Sequence, residues 1–400
     1  MLTRRYFLRA SAIAMAGVGT APRWLARVAA QGEHRRKILI VIFQRGAADG
    51  LNVVVPFFEP RYYSVRPTIA VPLPGKPNGA LDLDGRFGLH PSLQALKPFW
   101  DSGQLALVDA VGSPDPSRSH FDAQDYMESG TPGRISGDGW LNRALPTVAR
   151  DTSPVRAIAI GAKMPRTLSG NGGAVAIADL QQFQVRNQDS AGILESLYAT
   201  TADAQLMAQG KRTFDAVKMI AAINRQPYTP NAGVQYVGEF GNALRQIARL
   251  IKADVGVEAA FADILGWDHH TNEAPQLSGL LQQFGTALAA FARDMGDRME
   301  DIVLVTMSEF GRTVQEDGNA GTDHGHGNVM MVLGGSVRGG HVYGRWPGLE
   351  PEQLFERRDL AVTTDFRSVL GELVRGHLGQ PIDPVFPGFT PSEPLGLLRT

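Results

Sequence analysis

Two short runs of the chain combine histidine with carboxylate, the side chains that bind zinc, manganese and similar divalent ions. They are Asp268-His269-His270 and Asp323-His324-Gly325-His326, and both lie beside apolar segments with the character of β-strands. We expect the two runs to meet around one ion. Ligands about 2.0–2.2 Å from one ion lie close together, so the His270 and His324 imidazoles should come within about 3–4 Å of each other.

Residues two apart in extended backbone face the same side, so Asp268 and His270 are predicted to share the ion while His269 points away. A turn with surface histidines is the alternative interpretation of this run. In the second run His324 is the stronger ligand candidate, because small neighbours allow close approach of the backbone. Asp323 is either a ligand or the partner that orients the imidazole.

Two further loops follow apolar strands. Glu309 lies at the carboxyl end of Asp301–Met307, where a second carboxylate is expected, and Arg312 suits a planar anion such as phosphate, sulfate or carboxylate. An ordinary Glu–Arg surface pair is the alternative. After the first strand, Arg45 and Asp49 are candidates to face the site. The loop lacks the GxGxxG pattern, which disfavours a dinucleotide-binding fold.

Ser119 is the candidate nucleophile, because a hydroxyl beside a metal ion is more easily deprotonated. The alternative is that Ser119 caps the helix that begins near Phe121. The two roles are compatible, since the N-terminus of a helix also binds phosphate well.

Apolar runs that read as strands alternate with helical patterns, which predicts an α/β fold with a wound, mostly parallel sheet and helices on both faces. The predicted strands are Lys37–Phe43, Gln104–Ala110, Val155–Ile160, Val257–Leu265, Asp301–Met307 and Val329–Leu333, and the predicted helices are Ser190–Ile223, Tyr236–Lys252, Leu277–Met299 and Asp365–His377. Ligands of such sheets bind at the carboxyl ends of the strands. The His324 run precedes its strand, so its loop is expected to reach back over the sheet. Residues 31–400 are predicted to form one domain, with 185–253 as a helical cap over the site.

The N-terminus resembles an export signal. Arg4 and Arg5 open a twin-arginine pattern, Ala10–Ala21 is apolar, and Val28-Ala29-Ala30 offers small residues for cleavage. The apolar run is shorter than the roughly 20 residues that a membrane span requires. Residues 1–30 are therefore predicted to be a signal peptide read by the twin-arginine translocase, which places the mature protein in the periplasm or outside the cell.

Charge and composition exclude several classes of partner. Residues 1–30 hold five Arg and no acid, so the mature chain has 34 basic against 40 acidic groups. Because no basic run follows Lys37, nucleic acid is not an expected partner, and no apolar run predicts a membrane span in the mature chain. The chain has no cysteine, so a metal ion must be held by His, Asp, Glu or hydroxyl groups.

Several segments together resemble the DUF1501 family of exported bacterial proteins. They are QRGAADGLN, RSHFDAQDYMESG, GWDHHTNE, SEFGRT, GTDHGHGN and TTDFRSVL. This family resembles the alkaline phosphatase and sulfatase superfamily in fold. The resemblance implies an α/β sheet, divalent metal ions and a hydroxyl-type nucleophile.

Residue by residue, the superfamily resemblance implies that Asp268, His270 and His324 form one metal site. Asp49 matches an aspartate that follows the first strand only loosely. Glu309-Phe310 keeps the carboxylate of an Asp-His pair but not its imidazole. No Cys or Ser lies in the C/S-x-P-x-R frame that formylglycine requires, which disfavours sulfatase chemistry.

The sequence therefore predicts an exported hydrolase that depends on zinc, manganese, calcium or magnesium. Its substrate would be a small or glycan-linked phosphate or sulfate ester, attacked by Ser119 or by water and held by Arg45 and Arg312. The alternative is a catalytically silent binding or assembly protein of the cell envelope on the same fold.

Overall fold

The computed structural model describes residues 36–134, 136–146, 152–183, 195–201 and 203–399. The first predicted strand forms β1 (Ile38–Arg45). Residues 39, 41 and 43 pack into one hydrophobic cluster, and residues 38, 40 and 42 into another on the opposite side. A strand with apolar side chains on both sides is stable only when both faces of its sheet are covered, so β1 lies in the centre of the molecule.

The strands described after β1 are β2 (Val54–Val55), β3 (Leu81–Asp82), β4 (Gly88–Leu89), β5 (Leu105–Gly112), β6 (Ala157–Ile160), β7 (Ala174–Ile177), β8 (Ala259–Leu265), β9 (Ile302–Met307), β10 (Asn328–Gly334), β11 (Val342–Tyr343) and β12 (Thr364–Asp365). Nine of the described strands form one sheet in the order β11-β5-β10-β9-β1-β8-β6-β7, with β12 also paired to β5, and three form a small sheet in the order β2-β4-β3. The large sheet is mostly parallel, as expected.

Strand β10 is the exception, because it runs antiparallel to both β5 and β9. It therefore begins at the edge where β8 and β9 end. The expectation that the His324 loop must reach back over the sheet is wrong, since reversing the strand already brings that loop to the carboxyl edge of the parallel strands.

Helices cover both faces of the sheet. They are α1 (Gly50–Val53), α2 (Pro60–Val65), α3 (Lys97–Asp101), α4 (His120–Ser129), α5 (Trp140–Ala144), α6 (Ala204–Asn224), α7 (Gly238–Lys252), α8 (Glu273–Met295) and α9 (Phe366–Gly376), with short 3-10 turns at Pro91–Leu96, Arg166–Leu168 and Gly296–Asp301. Buried side chains of α6, α7 and α8 share one hydrophobic cluster, and those of α4, α5 and α9 share the cluster on the other face. The predicted α/β class is confirmed.

Part of the segment expected to cap the site lies on the sheet instead. The apolar side of α7 packs Leu244, Ile247 and Ile251 into the cluster that contains Ala260 of β8. This packing buries a helix face against the sheet, so α7 belongs to the helix layer and not to a lid. The long helix expected over Ser190–Ile223 is helical over 195–200 and again in α6, while 184–194 and 202 lie outside the described residues.

The predicted signal peptide, residues 1–30, also lies outside the described residues. Within the part of the chain that the structure describes, no helix combines the length and apolar character needed to cross a membrane.

Candidate metal centre

Three imidazoles and one carboxylate meet at the edge of the sheet where β8 and β9 end and β10 begins. Nε2 of His324 lies 3.0 Å from Nε2 of His120, 3.1 Å from Nε2 of His270 and 3.3 Å from Oδ1 of Asp268. Oδ2 of Asp268 lies 3.6 Å from Nε2 of His120. The close approach of His270 to His324 expected from the sequence is confirmed.

Hydrogen bonds behind two of these rings decide which nitrogen faces the cluster. Nδ1 of His324 lies 3.0 Å from the carbonyl oxygen of Arg118, which can only accept, so this nitrogen carries the proton. Nδ1 of His120 donates to Oε1 of Glu309 at 2.8 Å. Both rings therefore turn Nε2 towards the cluster. Burial and the neighbouring His120 lower the pKa of His324, which keeps its Nε2 lone pair available.

This donor set fits a divalent cation. Lone pairs on neighbouring Nε2 atoms repel unless a proton or a cation lies between them, and a single cation would satisfy both contacts of His324 at once. Tetrahedral zinc with Zn–N bonds of about 2.0–2.1 Å places its ligand atoms roughly 3.3–3.4 Å apart. The separations around His324, from 3.0 to 3.3 Å, are close to that spacing.

His324 belongs to both candidate ligand groups, and neither group contains both His120 and His270. The described residues contain two candidate ligand groups, His120–Asp268–His324 and His270–Asp323–His324. Both groups need His324, whose Nδ1 donates to the Arg118 carbonyl oxygen. Only Nε2 of His324 remains to bind a metal ion, and it can bind one. Oδ1 of Asp323 lies 4.0 Å from Nδ1 of His270 and accepts from the backbone N–H of His324, while Oδ2 pairs with Arg358 at 2.7 Å.

Arg312 holds Asp268 in place. Its fully buried guanidinium donates through Nη1 to Oδ1 of Asp268 at 2.7 Å, and through Nε and Nη2 to the hydroxyl and carbonyl oxygens of Thr322. Partial burial raises the pKa of Asp268, but the hydrogen bond and charge of Arg312 outweigh it and lower that pKa overall. The carboxylate therefore stays ionised, as a metal ligand must be.

Glu309 lies behind His120 and outside the ring of ligand atoms. Its Oε1 accepts hydrogen bonds from His120, from Nε2 of Gln124 at 2.8 Å and from the backbone N–H of Gly46 at 2.9 Å. Burial raises the pKa of Glu309, and these hydrogen bonds, led by the one from His120, lower it overall. The same bond raises the pKa of His120 against the effect of burial. A carboxylate in this place fixes a ligating imidazole and increases its basicity.

Two glycines let the ligand-bearing loops pack closely. Gly46 has a φ of +118°, and a Cβ there would lie 2.7 Å from the backbone nitrogen of Asp268. A Cβ on Gly325 would lie 2.4 Å from the carbonyl carbon of Arg312, whose backbone forms an antiparallel bridge with His324. A side chain at either position would push the loops apart, so these positions require glycine.

A family model described as "Protein of unknown function (DUF1501)" matches residues 100–383. The chain belongs to the DUF1501 family. This confirms the family expected from the sequence segments. Among curated proteins, none matches this DUF1501 chain.

Solved structures similar to the DUF1501 chain include the C-terminal periplasmic domain of EcEptC from Escherichia coli in complex with Zn, with 10% identity, a TM-score of 0.34 and coverage of 76% of this chain and 74% of that one. The PsFucS1 sulfatase from Pseudoalteromonas sp. has 12% identity, a TM-score of 0.33 and coverage of 81% and 68%. Alkaline phosphatase from the Antarctic bacterium TAB5 has 11% identity, a TM-score of 0.29 and coverage of 76% and 93%. At TM-scores this low the likeness carries no argument about chemistry.

Asp49 of this DUF1501 protein is not brought to the histidine cluster. Both of its oxygens accept from the guanidinium of Arg66, at 2.5 and 3.0 Å, and both side chains are buried. Burial raises the pKa of Asp49, while the charge and hydrogen bonds of Arg66 lower it overall. A carboxylate whose two oxygens face one guanidinium has none directed at the metal centre.

The structure shows Arg45 in ion pairs and Ser119 as a helix cap. Arg45 pairs with Asp263 at 2.8 Å and with Glu128 at 3.0 Å, so its charge is used within the protein. Ser119 is the N-cap of α4, and its Oγ lies 3.5 Å from the backbone nitrogen of Asp122. The capping role is thus observed, while the nucleophilic role stays a prediction.

His120 is the residue that sequence reasoning missed. It follows Ser119 in the same segment and turns its ring into the cluster from the first turn of α4. Its position two residues before Asp122 is a sequence signal of the same kind as the Asp268 and Asp323 runs. His326, by contrast, stacks on Phe355 with ring centroids 4.4 Å apart, and burial lowers its pKa to about 4.

Proposed function

We propose that this DUF1501 protein is an exported, metal-dependent hydrolase of a phosphate or sulfate ester or a related anionic group. The observation that carries the proposal is the approach of Nε2 of His120, Nε2 of His270 and Oδ1 of Asp268 to within 3.3 Å of Nε2 of His324. Three imidazoles and one carboxylate favour zinc or manganese over calcium and magnesium, which prefer oxygen ligands.

The proposed division of labour follows from the contacts. His120, His270, His324 and Asp268 hold the ion, Arg312 orients Asp268, and Glu309 orients His120. A divalent ion in this place would supply Lewis-acid chemistry, polarising an ester oxygen and easing the ionisation of a hydroxyl group or water. The Ser119 hydroxyl, one residue from His120, is the candidate nucleophile, and water is the other.

The proposed place of action is outside the cytoplasm, reached through the twin-arginine translocase. Arg4 and Arg5 in their apolar context support it. Replacing both with Lys should keep the protein in the cytoplasmic fraction of a host that has this translocase. Export of the doubly substituted protein at the normal level would exclude the route.

A catalytically silent binding or assembly protein is the second candidate, and the arginines favour it. Arg45 is paired with Asp263 and Glu128, and Arg312 with Asp268, so both guanidinium groups expected to clamp an anion are used inside the protein. Such a protein would keep the metal centre as a structural or recognition element and would lack turnover.

The test measures metal and turnover on the same samples. Protein purified from the periplasm is analysed for divalent metals and assayed on aryl phosphate and aryl sulfate, before and after chelation. His324→Ala is compared with His341→Ala, which removes an exposed histidine elsewhere.

Loss of both metal and turnover in His324→Ala, with both retained in His341→Ala, is the expected result. About one equivalent of metal with no turnover on either ester would favour the silent protein. Wild-type protein that binds neither zinc nor manganese would reject the metal centre itself.

A further inference from the structure

A fully buried threonine joins the two loops that carry the ligands. The backbone N–H of Thr322 donates to the carbonyl oxygen of His269 at 3.0 Å, between the ligands Asp268 and His270. Thr322 is also two residues from His324. The position of Thr322 therefore affects the positions of three of the four candidate ligands.

The side chain of Thr322 adds two directional bonds. Its Oγ1 accepts from Nε of Arg312 at 3.0 Å and donates to Oε2 of Glu273 at 2.6 Å. The same guanidinium donates to the Thr322 carbonyl and to Oδ1 of Asp268. A hydroxyl has one proton, so donating it to Glu273 leaves the oxygen lone pairs turned towards Arg312.

The far end of this chain is fixed in the protein interior. Glu273 is fully buried at the start of α8, and its Oε1 accepts from Nδ2 of Asn52 at 3.2 Å. Oδ1 of Asn52 in turn accepts from the Tyr62 hydroxyl at 2.6 Å. The orientation of Arg312 is thus set by a hydrogen-bonded network that extends away from the metal centre.

We infer that Thr322 is a positioning residue for the metal centre, holding Arg312 against Asp268 and the His269 backbone in place before an ion binds. The inference rests on the proposed metal centre. Ligands held in the binding geometry lose little freedom when the ion arrives, so the loss of such a support weakens metal affinity without removing a ligand.

The experiment titrates zinc alone into the metal-free full-length protein against a competing chelator, and records the visible spectrum of the Co²⁺ form. Thr322→Val keeps the size of the side chain and removes the hydroxyl. Thr322→Ser keeps the hydroxyl. Thr306→Val is the matched control, because Thr306 is also buried and its hydroxyl accepts from the backbone of Met331 at 2.9 Å within the sheet.

Thr322→Val should bind zinc about 10–100-fold more weakly than the wild type and show a changed Co²⁺ spectrum. Thr322→Ser should stay within about 3-fold of the wild type, and Thr306→Val should bind like the wild type even though it also loses a buried hydrogen bond. Wild-type affinity in Thr322→Val, or equal weakening in the Ser and Val variants, would overturn the inference while leaving the metal centre standing.

Wild-type protein that binds neither Zn²⁺ nor Co²⁺ would reject the proposed function and this inference with it. Should Thr322→Val not fold, Glu273→Gln removes one acceptor from the same chain of hydrogen bonds. Zinc binding as tight in Glu273→Gln as in the wild type would then overturn the role assigned to Thr322.

Discussion

Two aspartate–arginine pairs near the carboxyl edge of the sheet illustrate how one kind of contact serves two purposes. Arg66 takes both oxygens of Asp49, and the pair is closed off from solvent. Arg312 takes only Oδ1 of Asp268, whose side chain remains 44% exposed and turns Oδ2 towards His120. Both aspartates were predicted ligands, and only Asp268 lies among the histidines.

The difference lies in how many carboxylate oxygens the arginine leaves free. A bidentate pair in the interior stabilises the local fold. It leaves no oxygen for an ion, since each carboxylate oxygen already accepts a strong hydrogen bond from the guanidinium. A pair with one contact lowers the pKa of the acid and leaves an oxygen available. An arginine at a metal centre can therefore keep a carboxylate ligand ionised and oriented, instead of binding an anionic substrate.

The largest expected effect is on folding, from breaking the closed pair. Asp49→Asn removes the bidentate carboxylate partner of the buried Arg66 cation, which should cost about 3–5 kcal/mol of unfolding free energy in urea. Asp101→Asn, at an exposed pair with Lys97, is the control and should cost no more than about 1 kcal/mol. Metal-free protein is used for both. Equal stability of the two variants would refute the assignment of Asp49 to a structural role.

Next in size is the effect of Asp268→Asn on zinc affinity. Structural zinc sites gain about 10–16 kcal/mol from four ligands, so one ligand accounts for roughly 3–4 kcal/mol and zinc should bind roughly 100–1,000-fold more weakly. Folding stability should change little, because Asn still accepts from Arg312. Folded Asp49→Asn protein, which keeps all four candidate ligands, should bind zinc more tightly than the Asp268→Asn protein. If the two variants bind zinc equally well, the distinction between the pairs fails.

Histidines at the two edges of the sheet also differ in their exposure. Those of the metal centre are partly exposed, whereas His377 is buried. His377, whose Nε2 donates to the Ile38 carbonyl at 3.0 Å, is buried at the opposite edge from the metal centre. Burial lowers its pKa from 6.5 to about 4. The unfolded chain therefore binds the proton more tightly than the folded protein does. The resulting stability is complete above pH 6.5 and is lost as pH falls towards 4.

The loss associated with His377 should approach about 3 kcal/mol at the acid end of that range. Urea unfolding of the metal-free protein at about pH 7.5 and about pH 4.5 measures it. His377→Gln should lose correspondingly less stability between these two pH values, whereas His341→Gln, at an exposed histidine, should behave like the wild type. Identical pH dependence in all three proteins would show that His377 is not held neutral by burial.

The sequence was most informative where strand and ligand are adjacent. A continuous apolar run identified β1, and the placement of Asp268, His270 and His324 next to strand ends predicted their meeting. It was least informative where partners are set by packing. The reversal of β10 has no local pattern, since the residues of a buried strand read alike in either direction.

Arg66 and His120 are single residues whose partners are also set by packing. Arg66 lies in a proline-rich stretch without periodicity, so its pairing with Asp49 could not be read from spacing. His120 joins the cluster because the start of α4 meets the His324 loop, a long-range contact. Such contacts depend on how the elements pack, which the order of residues alone does not express.

Gln124→Ala should give the smallest of these effects. It separates direct support of a ligating imidazole, by Glu309, from indirect support, by Gln124. Its Nε2 donates to Oε1 of Glu309, two contacts removed from the ion, while its Oε1 accepts from Arg45 at 2.9 Å. Gln124→Ala should weaken zinc binding about 2–10-fold, the effect of losing one hydrogen bond of about 0.5–1.5 kcal/mol. Glu309→Gln, which alters the direct partner of His120, should weaken it about 10–100-fold. A larger effect from Gln124→Ala than from Glu309→Gln would mean that Arg45, freed from Gln124, disturbs the centre directly.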